Sequence, residues 1–419
     1  MVLKKNENIK IFDGAIGTEV QKRTPTAEDN LTDLLNSTRP EIIKNIHLDY
    51  LDAGAQVLTT NTFSSNEIRL SRSGHGKKTS ELNERGANLA REAVKAFSGE
   101  EEKVWIAGSI GPTGENLVPL GDWTFDQFYS TFLTQAQALK RGGVDWLIIE
   151  TMESLREAKA ALLASKEVEL PVISSLSYGS RGRTSYGVVP ASGAITLDYI
   201  GADVLGINCG TGPKPYPDII KTYSRSSSKP LLAEANAGSP RLEDGKAVYD
   251  LTPRQYLEEI EPGISFLWGV GSCCGSDPSF TKMLAEASSK YEGRKEDKFE
   301  TESKFITNNS GVINLSEETE FIEIDIDSEN LKNLKEKVDG DSINMLHFSG
   351  IPRPYSSMEN VLARQFLKLR SSKPLGIVTD DSELLKTFLK ASPGISPVRA
   401  TGNKPSIRKT AEKYGGLLI

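Results

Sequence analysis

The chain has 419 residues, an apolar fraction of 37% and a formal net charge of −7. This length allows two or three domains with cores of their own. The acidic balance and the lack of a basic stripe argue against nucleic-acid binding. No apolar run approaches the ~20 residues of a membrane span, and residues 1–8 lack the apolar segment of a signal peptide. With three cysteines, expected to be reduced, the sequence predicts a cytoplasmic protein without a membrane partner.

Short apolar runs alternate with amphipathic stretches from Ile9 onward, a pattern typical of repeated βα units. The runs predict eight strands, near residues 9–13, 57–63, 104–110, 145–151, 171–178, 204–209, 230–236 and 266–272. The stretches between them show the 3.6-residue period of helices. Eight parallel strands in this length predict an α/β fold, a (β/α)8 TIM barrel over residues 1–288.

All three cysteines lie beside glycine at the ends of apolar runs, Cys209 after the sixth predicted strand and Cys273 and Cys274 after the eighth. Cysteine can be a small buried apolar residue, and adjacent cysteines form a disulfide only with strain. A soft divalent ion such as zinc takes tetrahedral sulfur ligands, and three protein ligands leave one position open. The spacing therefore favours a catalytic zinc site with Cys209, Cys273 and Cys274 as ligands.

Polar residues cluster where the predicted strands end. Asp13, Asn61, Gly108 to Gly111, Glu150, Ser177, Cys209 and Asn236 all stand at such positions. The carboxyl ends of the strands of a (β/α)8 barrel share one face, where active sites are built. We therefore expect the active site on this face. Asn236, between the two cysteine strands, is expected either as a neighbour or resting fourth ligand of the ion, or as a turn residue.

Seven short motifs occur in the order seen in zinc-dependent homocysteine S-methyltransferases. They are Asp13-Gly14-Ala15-Ile16-Gly17-Thr18-Glu19, Asn61-Thr62-Phe63, Gly108-Ser109-Ile110-Gly111-Pro112, Glu150-Thr151, Asn208-Cys209-Gly210, Ala235-Asn236-Ala237-Gly238 and Gly271-Ser272-Cys273-Cys274-Gly275. Over residues 8–290 the chain resembles this family, and it is most similar to the homocysteine-binding module of cobalamin-dependent methionine synthase. The resemblance implies that L-homocysteine is the substrate and methionine the product.

A site for an amino-acid thiol has to bind the ammonium and carboxylate groups of that substrate. The resemblance implies that Asp13 and Glu150 bind the homocysteine amino group, although either carboxylate could instead cap the helix that follows. Backbone N–H groups of the turn Gly14, Ala15, Gly17 and Thr18 are candidates for the carboxylate, because amides at helix starts attract anions. The turn 108–114 is a second candidate, and it is equally readable as a plain loop or as part of the methyl-donor surface.

The chain contains three histidines, His47, His75 and His347, and none stands at the end of a predicted barrel strand. We expect structural or solvated roles for them, so a Ser-His-Asp hydrolase has little support. Neither GxxxxGK[ST] nor GxGxxG occurs at the glycine-rich turns, which argues against a phosphate site.

Composition changes after the predicted barrel. Residues 289–318 include a charged run without an apolar face and are predicted to be a linker. Strands are then predicted at 320–326, 342–348, 375–379, 396–400 and 415–419, with helices at 328–337, 357–371, 381–391 and 404–414. Residues 319–419 are too few for a second barrel and predict a small α/β domain. Part of it resembles the pterin-binding barrel of methionine synthase, so a docking element or a truncated remnant of that barrel is expected.

The sequence thus predicts a zinc-dependent methyltransferase that forms methionine from homocysteine. No cobalamin-binding segment is visible, so the methyl group is expected to come from a separate methylated corrinoid protein. Direct transfer from a small sulfonium or betaine donor is an alternative. A zinc-stabilised interaction module without activity and a related enzyme for another thiol remain as further alternatives.

Overall fold

The computed structural model describes residues 9–24, 31–98, 104–239, 241–243, 246–288, 290–291, 303–327, 330–338, 342–351, 353–369, 373–400, 402 and 404–419. Eight parallel strands form the first sheet. They are β1 (Lys10–Ile11), β2 (Val57–Thr59), β3 (Trp105–Ile110), β4 (Trp146–Met152), β5 (Val172–Leu176), β6 (Val204–Cys209), β7 (Leu231–Ala235) and, after the short hairpin β8 (Arg241–Glu243) and β9 (Lys246–Val248), β10 (Gly269–Ser272). Seven of them lie within the predicted ranges, and β4 extends one residue beyond its range, to Met152.

The strand order β1-β10-β7-β6-β5-β4-β3-β2 leaves β1 and β2 at the two ends of the sheet. A parallel bridge between Phe12 and Val57 joins these ends. The backbone N–H of Gln56 also donates to the carbonyl of Ile11, at 2.8 Å. The predicted α/β fold is therefore confirmed, with eight parallel strands in a nearly closed barrel sheet.

Helices cover the outside of this barrel. They are α1 (Ile16–Arg23), α2 (Leu35–Thr38), α3 (Pro40–Asp52), α4 (Glu67–Ser71), α5 (Thr79–Ser98), α6 (Phe125–Arg141), α7 (Leu155–Lys166), α8 (Pro190–Ile200), α9 (Tyr216–Ser226), α10 (Pro253–Ile264) and α11 (Pro278–Ser288). Their starts follow local chemistry: Thr124 and Thr252 form capping boxes with the glutamine three residues later. Among the described residues, no helix is both long and apolar enough to cross a membrane.

Side chains alternate between the two faces of each barrel strand. On β7, Leu231, Ala233 and Ala235 belong to the core between sheet and helices. Leu232 belongs instead to the cluster inside the barrel, with Phe12, Val57, Ala107, Trp146, Ile148, Ile173 and Val204. This alternation decides which residues near the strand ends face the barrel interior.

The carboxyl-terminal part contains a second parallel sheet. Its strands follow chain order and are β13 (Phe321–Ile326), β14 (Ile343–Phe348), β15 (Gly376–Val378), β16 (Ser396–Arg399) and β17 (Gly416–Leu418). Its helices are α12 (Leu334–Lys337), α13 (Met358–Leu369), α14 (Ser382–Ala391) and α15 (Pro405–Tyr414). The strands and helices lie in the predicted ranges, and apolar residues from both form a core of their own.

The segment predicted as a linker contains an unpredicted antiparallel hairpin, β11 (Lys304–Thr307) and β12 (Val312–Leu315). Ile306 packs with Ile195 of α8, with Ile343 of β14 and with Ile395, which directly precedes β16. The hairpin thus packs between α8 and the second sheet, with Ile306 and Thr307 buried. Residues 289 and 292–302 of the predicted linker lie outside the described residues, as do residues 1–8.

The two parts also meet through α7. Lys159 is fully buried and donates to the carbonyls of Leu389, at 2.8 Å, and Ser392, at 3.2 Å. Arg156 forms a buried ion pair with Glu359 at 2.9 Å. A barrel helix therefore extends two buried basic side chains into the carboxyl-terminal part.

Candidate active site

The three cysteines come together at the carboxyl ends of β6 and β10. Their sulfur atoms all lie within 4.8 Å of one another, and none is in a disulfide. Zinc–sulfur bonds of ~2.3 Å arranged as a tetrahedron place the sulfurs about 3.8 Å apart, so only a small adjustment is needed for one ion to contact all three. The donor set of three thiols fits zinc.

The backbone adopts left-handed conformations beside the cysteines, at the ends of β6 and β10. Cys209 has a φ of 62°, in the left-handed region, and Gly210 and Gly275 have φ of 75° and 85°. A non-glycine residue in that region stores strain, which is typical of functional sites. The hydroxyl of Tyr216 holds the strained end of β6, because it lies 3.0 Å from the carbonyl of Cys209.

Hydrogen bonds among the three thiols shift their pKa values in opposite directions. Cys273 and Cys274 interact with the sulfur of Cys209, which lowers the pKa of Cys209 to about 3. The same contact with Cys209, together with burial, raises the pKa values of Cys273 and Cys274. The three thiols thus hold their protons with unequal strength, and a divalent cation would balance the charge of the fully deprotonated set.

Glu150 lies at the end of β4 and is held by two neighbours. Its carboxylate accepts from the hydroxyl of Ser109 at 2.5 Å and from the side-chain amide of Asn208 at 3.2 Å. The carbonyl oxygen of that amide accepts from the backbone N–H of Thr151 at 2.7 Å, where the backbone is again left-handed, with a φ of 59°. Burial, then the nearby Cys209 thiolate, raises the pKa of Glu150 to about 7.

Asp13 follows β1 and is also buried, with 2% of its surface exposed. Its carboxylate accepts from the backbone N–H of Thr59 at 2.8 Å. Burial raises its pKa to about 8, and the charge of Glu150 adds to that rise. The capping alternative is wrong for both acids, because the N-cap residues of α1 and α7 are Ala15 and Ser154.

The glycine-rich turn before α1 contacts the cysteine loop. Ala15 donates its backbone N–H to the hydroxyl of Ser276 at 3.3 Å, and Thr18 accepts from the N–H of Gly275 at 3.0 Å. A Cβ at Gly14 would lie 2.8 Å from the Ser276 hydroxyl. Gly17 has open space around such an atom. The turn thus stands directly against the loop that carries Cys273 and Cys274.

Asn236 lies just after β7, and its side chain is buried. The amide nitrogen donates to the carbonyl of Gly210 at 2.7 Å, and the interaction of this side chain with Cys209 contributes to the lowered pKa of that thiol. Its amide oxygen has no hydrogen-bond partner within the described part of the chain. Asn236 therefore stands beside the Cys209 thiol.

The histidines stand apart from these groups. His47 is fully buried in α3, where burial lowers its pKa to about 4. His347 lies on β14 and pairs with Asp325 at 2.9 Å. His75 precedes a 3-10 turn at residues 76–78.

Sequence reasoning missed Glu234 and the roles of Asn208 and Ser109. Glu234 lies on β7, is 6% exposed, and its pKa is raised well above the ordinary value, first by burial and then by the charges of Glu150 and Asp13. The signal was a charged residue inside the apolar run Leu231-Leu232-Ala233-Glu234-Ala235. Side chains two residues apart in a strand face the same side, so the position of Leu232 could have assigned the Glu234 side chain to the barrel interior.

The fold and site define a (β/α)8 protein with three convergent thiols beside buried carboxylates. The profile of the family described as Homocysteine S-methyltransferase matches residues 10–288. The chain belongs to this family, and it is therefore a methyltransferase by class.

Two relatives are named methionine synthase. Those of Mycobacterium tuberculosis and Mycobacterium leprae are each 29% identical, over 298 and 297 residues. The matches cover 67% of this chain and 25% and 24% of the respective relatives. The matched region thus corresponds to about a quarter of those proteins.

A solved structure, the homocysteine methyltransferase MmuM from Escherichia coli in its oxidized form, is similar with a TM-score of 0.57 and 22% identity. Its metallated form gives the same values. Each alignment covers 67% of this chain and 96% of that one. This similarity supports the barrel fold.

Proposed function

We propose that this protein is a zinc-dependent homocysteine S-methyltransferase that forms methionine. The observation that carries the proposal is the convergence of Cys209, Cys273 and Cys274 within 4.8 Å on the face of the barrel that also holds Asp13 and Glu150. Family membership makes homocysteine the fitting acceptor.

Zinc held by the three cysteines would lower the pKa of the substrate thiol and keep its sulfur as an electron-rich thiolate. The protein then has to orient that sulfur. Asp13 and Glu150 are proposed to bind the substrate ammonium, and Asn208 and Ser109 fix the Glu150 carboxylate for that contact. The amides of Gly17 and Thr18, in the first turn of α1, are proposed to bind the substrate carboxylate.

In the transfer step, the homocysteine sulfur forms a bond to the methyl carbon while the bond between that carbon and its carrier breaks. The carrier leaves with the electron pair of the broken bond, and the thiol proton has already passed to solvent. The donor is proposed to be a methylated corrinoid protein, because the relatives are named methionine synthase.

We propose the division of the chain into a barrel of residues 1–288, a connecting segment of residues 289–318 and an α/β domain of residues 319–419. The last is proposed to be a docking element or a truncated remnant similar to a pterin-binding domain. The separate core of the second sheet supports this division. Its contacts with Lys159 and Arg156 would hold it against the barrel.

Isothermal titration with L-homocysteine tests the acceptor site. We expect binding to the zinc-loaded protein with release of a proton, measured in buffers of different ionisation enthalpy, and loss of binding after chelation. Protein that binds zinc but no thiol would instead support a structural zinc module.

Methionine formation from homocysteine then tests the donor. Methylated corrinoid protein is compared with a methylsulfonium amino acid and with betaine as sources of the methyl group. We expect loss of the methyl group from cobalt in the first reaction. Methionine formation with only a small donor would overturn the corrinoid assignment and leave the acceptor assignment standing.

A further inference from the structure

Glu234 occupies a position inside the barrel between the two cysteine strands. On β7, Leu232 belongs to the interior cluster, so Glu234, two residues later, faces the same side. The strand register places Glu234 opposite Asn208 on β6 and Gly271 on β10. These are the two strands that carry Cys209 and Cys273.

Gly271 leaves the space that the Glu234 carboxylate needs. A Cβ added at Gly271 would lie 3.2 Å from an oxygen of that carboxylate and 3.0 Å from the carbonyl oxygen of Asp13. It would also lie 2.7 Å from the Cβ of Phe12. The carboxylate of Glu234 thus reaches across β10 toward the end of β1, where Asp13 lies.

Glu234 is a buried residue, 6% exposed, and its carboxylate makes no hydrogen bond or ion pair with the residues whose placement is described. Asp13 and Glu150 differ from it, because each accepts hydrogen bonds from neighbouring groups. A buried carboxylate without a partner is costly, and a bound cation would supply the missing charge and donors. The arrangement therefore points to a cationic ligand group at this place.

We propose that Glu234 binds the ammonium group of the amino-acid thiol together with Asp13 and Glu150. An ammonium group has three N–H donors, and Asp13 after β1, Glu150 on β4 and Glu234 on β7 would provide one acceptor for each. The inference rests on the proposed function and deepens it. Glu234 makes the site select thiols that carry an amino group.

The test compares two thiols and three proteins by isothermal titration at pH 8 with zinc-loaded protein. The thiols are L-homocysteine and 4-sulfanylbutanoate, which has the same thiol, chain and carboxylate without the amino group. The proteins are the wild type, Glu234→Gln and the control Glu157→Gln. Glu157 is also 6% exposed, but it is fully engaged with the N–H and hydroxyl of Thr113, both at 2.8 Å.

We expect Glu234→Gln to weaken homocysteine binding roughly 10- to 100-fold, because a charged hydrogen bond is lost, and to leave 4-sulfanylbutanoate within about twofold of wild type. Glu157→Gln should preserve the wild-type ratio of the two affinities. Zinc content, measured by elemental analysis, should be equal in the three proteins. If Glu234→Gln does not fold, Glu234→Asp, which keeps the charge on a shorter side chain, should show the same selective loss.

Homocysteine binding that is unchanged in Glu234→Gln would overturn this inference alone. Equal weakening of both thiols would also overturn it, because that result indicates a structural role without recognition of the amino group. Wild-type protein that binds neither thiol would overturn the proposed function and this inference with it.

Discussion

Lys159 permits a sharp test of how the two parts of the chain are held together. Its ammonium group is fully buried and contacts two carbonyl groups, those of Leu389 and Ser392. Burial, then the charge of Arg156, lowers the pKa of Lys159 from 10.5 to about 7. The charged form is therefore disfavoured in the folded protein, and unfolding takes up a proton between these two pH values.

The sign of the effect follows from linkage. Because the unfolded state binds more protons between about pH 7 and pH 10.5, stability from this group rises with pH in that window. The slope approaches ~1.4 kcal/mol per pH unit, and the total from pH 7.5 to pH 9.5 is about 2.5 kcal/mol. Lys159→Met removes the titrating group, so the stability of wild type relative to this variant should rise by about that amount.

The assay is urea unfolding of the full chain, followed by tryptophan fluorescence at pH 7.5, 8.5 and 9.5. Lys159→Met also leaves two carbonyls without their donor, which adds a cost that does not depend on pH, about 1–3 kcal/mol for each carbonyl. The change with pH separates the two effects. Lys166→Met, an exposed position on the same helix, is the control and should keep the wild-type pH dependence. If the free energy of unfolding changes equally with pH in wild type and Lys159→Met, the reasoning is refuted.

Three further predictions concern the site. Cys273→Ser should lower bound zinc, measured by elemental analysis, to below about a tenth of wild type, since alkoxide is a far poorer soft-metal ligand; full occupancy would contradict the metal assignment. Asn208→Ala should weaken homocysteine binding roughly tenfold in calorimetry, because the Glu150 carboxylate loses a donor; unaltered affinity would show that Glu150 needs no such support. Gly275→Ala should destabilise the protein by about 1–3 kcal/mol in thermal unfolding, because its φ is 85° and the new Cβ would lie 2.2 Å from the Tyr249 ring; an unchanged melting temperature would contradict the strain argument.

Much of the fold could be predicted from local patterns. The apolar runs of the barrel and of the second sheet determine where strands form, and the parallel arrangement follows from the helices between them. The hairpin of Lys304–Thr307 and Val312–Leu315 was not predicted, because its two short strands follow a charged run and acquire a core only where α8 and the second sheet meet. The charged composition around it indicated solvent exposure.

The sequence by itself determined the chemistry available to the site: three thiols at strand ends, carboxylates at positions 13 and 150, and glycines where the backbone must turn. The tertiary structure alone decided that the sulfurs meet within 4.8 Å, that Asn208 and Ser109 hold Glu150, and that Glu234 joins Asp13 and Glu150. The physical reason is that closing the barrel brings β1, β4, β6, β7 and β10 around one interior. Distances across that interior depend on strand register and burial, which no local pattern in the chain encodes.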